Sequence, residues 1–260
     1  MTTVTTPAVQ KNATTIIEVL AQLDSIIQWS IHKKSRIGYF TILYKQMTEA
    51  IKKGIETGAF NNPKRMELLD VIFANRYINA WNAYQSKQLC TNAWCTAFDA
   101  ANNNNLIVLQ HIILGINTHI NLDLGIAAAE AAPGDSIHDL KNDFEKINEI
   151  IAELSGKMQE ALCRIWYPLR IINKISRNRE EAVINFSIQT ARKASWANAV
   201  ALASAAGQSR SNYINLIDNG VVLLGKKIIS PGLFTSFLLK PVRVMEDKDV
   251  GKILQLLQFH

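Results

Sequence analysis

The segment His111-Ile-Ile-Leu-Gly-Ile-Asn-Thr-His119-Ile-Asn-Leu-Asp123-Leu-Gly125 decides how the chain is read. At roughly 100° per residue, His119 and Asp123 fall within ~40° of each other, one helical turn apart. Asn117, Asn121 and Gln110 form a second polar stripe, roughly 160° away around the same helix. Everything between the stripes is apolar or glycine. A surface helix gathers its polar groups on one broad face. Two narrow polar stripes on a greasy cylinder predict a buried central helix, from about 105 to 130, with polar partners on two sides. The six polar groups from Gln110 to Asp123 also argue against a bilayer-spanning segment, so no membrane association is expected.

Outward from this helix, nearly every segment carries a helical period. Ile16, Leu20, Leu23 and Ile27 mark one helix, with Asn12 or Thr14 before it; Phe40, Leu43, Met47, Ile51 and Ile55 mark a second, ending at Gly58. Asn62-Pro63 is a start signal for a helix reaching Gln85. A short helix around Trp94 and Phe98 precedes the run Asn102–Asn105. The stripe Leu140, Phe144, Ile147, Ile151, Leu154, Met158, Leu162, Ile165 predicts a long amphipathic helix that Pro168 ends or kinks. Further helices are expected near 180–206, 210–229 and 246–258. The Ala-rich stretch Ala191–Ala206 implies close helix–helix approach. The prediction is an all-α, single-domain bundle of about eight or nine helices, with 1–11 flexible and 231–260 a looser C-terminal segment.

The 260 residues, 48% hydrophobic and 19% charged, suffice for one large core and do not resemble a disordered chain. The net charge of +6 is carried by scattered lysine pairs such as Lys33-Lys34 and Lys226-Lys227, not by a basic face, so no nucleic-acid partner is expected. Three cysteines, Cys90, Cys95 and Cys163, lack C-x-x-C spacing. They read as core thiols in a reducing compartment. With no basic and apolar leader at Met1-Thr-Thr-Val, a cytoplasmic location is the expectation.

His119 and Asp123 are the candidate site. A His and an Asp at this spacing can ligate one divalent metal, zinc or iron for mixed nitrogen and oxygen donors. They can equally form an acid–base pair in which the carboxylate fixes the imidazole tautomer, or a purely structural hydrogen-bond network. Asp70 is the second unusual residue, a carboxylate in the aromatic stripe of Phe73, Tyr77, Trp81 and Tyr84. It is costly to bury unless paired, with Arg76 or Arg192 as partners, or unless it serves as a further ligand or acid. Arg192, in the Ala-rich helix, can neutralise Asp70 or Asp123 or bind a substrate anion. Asn117, Asn121, Tyr77 and Trp81 are candidates for orienting substrate. Asp143 reads as a solvated edge residue, and His111 as a core or rim histidine.

Two segments carry a resemblance: Asn61-Asn-Pro63-Lys-Arg-Met-Glu-Leu-Leu-Asp70-Val-Ile-Phe-Ala-Asn-Arg-Tyr77, and Leu109 to Leu124 with its His-Ile-Asn-x-Asp-Leu core. Over roughly residues 35 to 200 the chain resembles a bacterial helical family catalogued only as a domain of unknown function. The resemblance implies an all-α domain and no particular reaction, cofactor or partner. Many members of that family carry a His where this chain has Leu122. Helical zinc phospholipases and nucleases also place H-x-x-x-D on a helix, but nothing else of their ligand set is present. The expectation is an enzyme acting on a small, partly apolar molecule, by metal-assisted or His general-base chemistry of hydrolase, lyase or isomerase type. The alternative is a non-catalytic helical module that binds a ligand or partner.

Overall fold

The computed structural model describes residues 11–165 and 179–258; the expected break at Pro168 and nearly all of the expected flexible start lie outside them. Among the described residues are ten α-helices and no strand. They are α1 (Ile16–Lys33), α2 (Ile37–Glu56), α3 (Pro63–Gln85) and α4 (Asn92–Ala100), then the central α5 (Val108–Ala131). A 3₁₀ segment (Gly134–Leu140) leads to α6 (Lys141–Ile165), followed by α7 (Arg179–Ser204), α8 (Gly207–Ile229), α9 (Leu233–Met245) and α10 (Val250–Leu257).

The local signals act as their chemistry requires. Asn62 caps α3 by accepting from the Arg65 amide at 3.1 Å, with Pro63 in the first turn where no amide proton is needed. Gly58 ends α2 with φ of 73°, a conformation that favours glycine, and the Ala59 amide reaches back to the Gly54 carbonyl at 2.9 Å. Two buried carboxylates hold helix starts across the chain. Asp143 on α6 accepts from the amides of Asn61 and Asn62 at 2.7 and 3.0 Å. Asp218 on α8 accepts from those of Asn92 and Ala93 at 3.0 and 2.9 Å. Each satisfies amides that lack an intrahelical partner. Asp143 is therefore a buried anchor, which corrects its reading as a solvated edge residue.

Helix α5 is long and apolar enough to cross a bilayer, yet other helices cover most of it. Its second half packs along α7 so tightly that a Cβ added at Gly125 would lie 2.9 Å from the Ser195 carbonyl oxygen and 3.2 Å from Asn198 Cβ. That is the close approach the Ala-rich stretch implies. Gly115 likewise leaves room for Phe40 of α2, whose ring would come within 2.3 Å of an added Cβ.

In the C-terminal segment α9 occupies most of the first half, and α10, where a last short helix is expected, buries Ile253, Leu254 and Leu257 against Ile27, Tyr39, Ile42 and Ile112. Its apolar residues Val250, Ile253, Leu254 and Leu257 repeat with helical spacing and form one stripe. Cys90 and Cys95 are not core thiols; they form a disulfide with Cα atoms 6.3 Å apart. The chain bends back as it enters α4, so two cysteines five apart meet without C-x-x-C spacing. The bridge removes the argument for a reducing compartment.

Candidate functional site

Within α5, residues His119–Asp123 form a π turn in an otherwise α-helical run, and the Leu124 amide donates to the His119 carbonyl. Single π turns inside α-helices recur at functional sites because the extra residue re-aims the side chains beside it. The two polar stripes face opposite neighbours. Asn121 donates to Asn117 at 3.1 Å, Asn117 to the Val221 carbonyl at 3.1 Å, and Gln110 to the Ile228 carbonyl at 2.7 Å. This stripe therefore stitches α5 to α8. Leu122 packs with Ala93, Ile126, Leu202 and Val221, also among α4, α7 and α8.

The other stripe builds a buried polar network. Asp123, 1% exposed, accepts from Arg76 Nε at 2.8 Å through one oxygen and from Trp94 Nε1 at 2.8 Å through the other. The second oxygen also lies 3.2 Å from His119 Nδ1. Burial pushes the Asp123 carboxyl up, but Arg76 and the His119 and Trp94 hydrogen bonds outweigh it and hold the group below its ordinary value. An ionised carboxylate only accepts, so Nδ1 carries the proton and Nε2 keeps its lone pair. Nε2 has no hydrogen-bond partner. Burial, the largest influence, lowers the His119 pKa, and Asp123 opposes it without reversing it, so the ring is neutral at pH 7.

The neutral ring sits in an aromatic sleeve. It stacks on Phe73 of α3 with centroids 3.6 Å apart and planes 9° from parallel, and meets Tyr44 of α2 edge-on at 4.3 Å. Beside it is a cavity of about 130 Å³ between α2, α3, α5, α6 and α7. Its walls are mostly apolar, with Phe40, Met47, Ile116, Ile147 and Ile188 among them, and His119, Asp70 and Arg192 are its titratable or cationic members beside the Tyr44 phenol. Volume of this order accepts a benzene-sized body.

Asp70 is 3% exposed, and neither of its oxygens makes a hydrogen bond. Burial, with a smaller contribution from Glu67, pushes its carboxyl up to about 8, so at pH 7 it is a neutral acid. Burial first, and then the nearby Asp70, push the Tyr44 phenol well above its usual value. Arg192, also 3% exposed, pairs with neither carboxylate offered to it by the sequence reading. Its Nε donates to Asn148 Oδ1 at 2.7 Å and its Nη2 to the Phe144 carbonyl at 2.5 Å, with the guanidinium 4.4 Å above the Phe144 ring. Burial lowers its pKa to about 10, which leaves it charged at neutral pH.

Of the residues singled out from sequence, His119, Asp70 and Arg192 share the cavity, and Asp123 stands behind His119. Asn117 and Asn121 face α8 instead. Tyr77 shares its hydroxyl proton with Thr41 at 2.5 Å and packs under Trp94, while Trp81 meets Trp29 edge-on at 5.4 Å. None of these four lines the cavity. Among the described residues no three His, Cys, Asp or Glu side chains converge as metal ligands. Sequence reasoning missed Arg76 as the partner of Asp123, and it missed the Trp94 indole as a donor to the same carboxylate. The signal for Trp94 was available: a buried indole seeks an acceptor for its N–H. His111 is buried beside Arg36, and burial followed by that charge lowers its pKa to about 3, in keeping with a core histidine.

A family model matches residues 16–231; it is described as a family of unknown function (DUF5995). No curated protein and no solved structure matches the chain.

Proposed function

The chain belongs to the DUF5995 family of unknown function, and because that membership carries no activity, we propose from the site alone that the protein is an acid–base enzyme for a small apolar molecule. One observation carries this reading: His119, held by Asp123 through Nδ1, has an unpartnered Nε2 beside a cavity it shares with the unpartnered Asp70 carboxyl. Nε2 would take a proton from the substrate or from a water. Asp123 would stabilise the imidazolium that forms, while Arg76 keeps Asp123 ionised. Asp70, neutral at pH 7, would donate to the oxygen on which charge develops. Isomerisation, elimination and hydrolysis all open with such a step.

The metal-assisted variant has less support. Asp123 already accepts three hydrogen bonds and would have to release Arg76 to bind a cation. The free ligand atoms are His119 Nε2 and the Asp70 oxygens, and zinc or iron bound there would polarise a substrate oxygen.

The test follows α-proton exchange by NMR for a panel of small apolar carbonyl compounds in D₂O. Wild-type protein should accelerate exchange for at least one compound, and His119→Gln and Asp70→Asn should each lose at least tenfold, on the order of removing one acid–base group. The rate should fall as pH rises through about 8, where Asp70 loses its proton, and fall again at acid pH as His119 gains one. The enclosure of His119 between Phe73 and Tyr44 favours a second reading, a ligand-binding module with a structural histidine. Compounds that bind without His119-dependent exchange would decide for it.

A further inference from the structure

Arg192 has an unusual charge balance. It is 3% exposed, and its two hydrogen bonds go to neutral oxygens, those of Asn148 and the Phe144 backbone. Among the described residues no carboxylate pairs with it. A buried cation without a counter-ion is costly, and proteins that keep one normally bring an anion to it. The bonds to Asn148 and Phe144 engage Nε and Nη2, while Nη1 makes none among the described residues. The guanidinium is thus held in place with donors to spare, and a guanidinium is the side chain best suited to pair with a carboxylate.

The anion has to come through the cavity, because Arg192 lines it. Asp70 and His119, the other titratable residues there, contribute no charge at pH 7. No lysine is among the described lining residues, so a single positive charge faces a mostly apolar space. A phosphate ester or a dicarboxylate would bring more charge than one guanidinium balances. A sugar would leave its hydroxyls facing Ile147, Ile188 and Met47 without partners.

Building on the acid–base reading above, we infer that the substrate is a small apolar monocarboxylate, its head on the Arg192 guanidinium and its body in the cavity beside Asp70 and His119. A volume of about 130 Å³ admits a six-membered ring or a short alkyl chain behind the carboxylate. Arg192 acts as the group that selects and orients; the proton transfer belongs to the other two residues.

The experiment compares hexanoate and benzoate with hexanamide and benzamide, which match them in shape but carry no charge, by calorimetry on the full chain at pH 7. A charge-assisted pairing in a desolvated site predicts that each acid binds on the order of tenfold or more tightly than its amide. Arg192→Gln should abolish the preference, bringing each acid down to the level of its amide in that variant. If that variant does not fold, the acid-to-amide ratio in the wild type decides alone. Equal binding of acid and amide overturns the inference, as does an absence of binding by either acid at millimolar concentration. Equal binding would still leave the acid–base reading standing, since proton exchange at His119 tests that separately.

Discussion

Replacing Asp70 with asparagine should stabilise the protein at neutral pH, and the gain should depend on pH in a defined way. The Asp70 carboxyl is pushed up to about 8 in the fold, whereas an aspartate in an unfolded chain titrates near about 3.9. Between about pH 4 and pH 8 the native state therefore holds a proton that the unfolded state has released. Stability falls over that window by up to ~1.4 kcal/mol for each pH unit of increase. Below it both states are protonated and the effect vanishes; above it the native carboxyl ionises and the slope ends. At pH 7 keeping the proton costs the fold about 4 kcal/mol. Asparagine has nearly the same shape, carries the same desolvation cost as a neutral carboxyl and does not titrate. Allowing for local relaxation, Asp70→Asn should gain about 2–4 kcal/mol at pH 7 and little at pH 4. Guanidinium unfolding followed by tryptophan fluorescence from pH 4 to pH 8 measures the two curves directly. A difference between wild type and variant that stays constant across that range would refute the reasoning, since it would mean Asp70 titrates normally.

Three further outcomes follow from the packing. Arg76→Leu leaves a nearly fully buried Asp123 with only His119 and Trp94, and should destabilise by about 2–3 kcal/mol, less than a fully buried pair because Arg76 is 24% exposed. Asp123 is depressed in the fold, so its contribution persists above its unfolded value and is lost as pH falls through its lowered one; acid unfolding of Arg76→Leu should accordingly begin at higher pH than in wild type. Gly125→Ala would drive a methyl toward the Ser195 carbonyl, 2.9 Å from the new Cβ, and should cost about 1–3 kcal/mol in chemical denaturation. Peptide mapping without reductant should find Cys90 linked to Cys95, and reduction should lower stability by about 2 kcal/mol from loop entropy alone; an unlinked pair would contradict the structure.

Helical periodicity made the architecture legible because it reports which face of a helix is covered. The Asn62-Pro63 start, the two-sided burial of α5 and the close approach at Ala191–Ala206 could all be read that way. Periodicity does not report which partner arrives at a covered face. His119–Asp123 is a local pair on one helix, so spacing revealed it. Arg76 and Trp94 reach Asp123 from other helices, and nothing local distinguishes Arg76 from Arg192 as its counter-ion. The π turn hides for a related reason: one added residue in a helix whose surroundings are apolar on most sides leaves the pattern nearly intact. Asp70 stood out because a carboxylate in an aromatic stripe contradicts its surroundings, and such contradictions are where function is expected.

The anchoring of α3 and α4 by distant aspartates has a consequence for how the chain is made. The amides at Asn61 and Asn62 wait for an acceptor more than eighty positions downstream, and those at Asn92 and Ala93 for one about 125 positions downstream. A nascent chain that has emerged only through α5 therefore holds Asp70, Arg76 and Trp94 on helices that have the local caps of Asn62 and Thr91 but not yet their distant carboxylates. Assembly of the cavity has to await the C-terminal half, because α6 and α7 supply Ile147, Ile188 and Arg192 to its walls and α8 supplies the Asp218 anchor of α4. A fragment ending before α6 should behave as a collapsed, aggregation-prone intermediate, and the pocket should appear in one step when α6 and α7 dock.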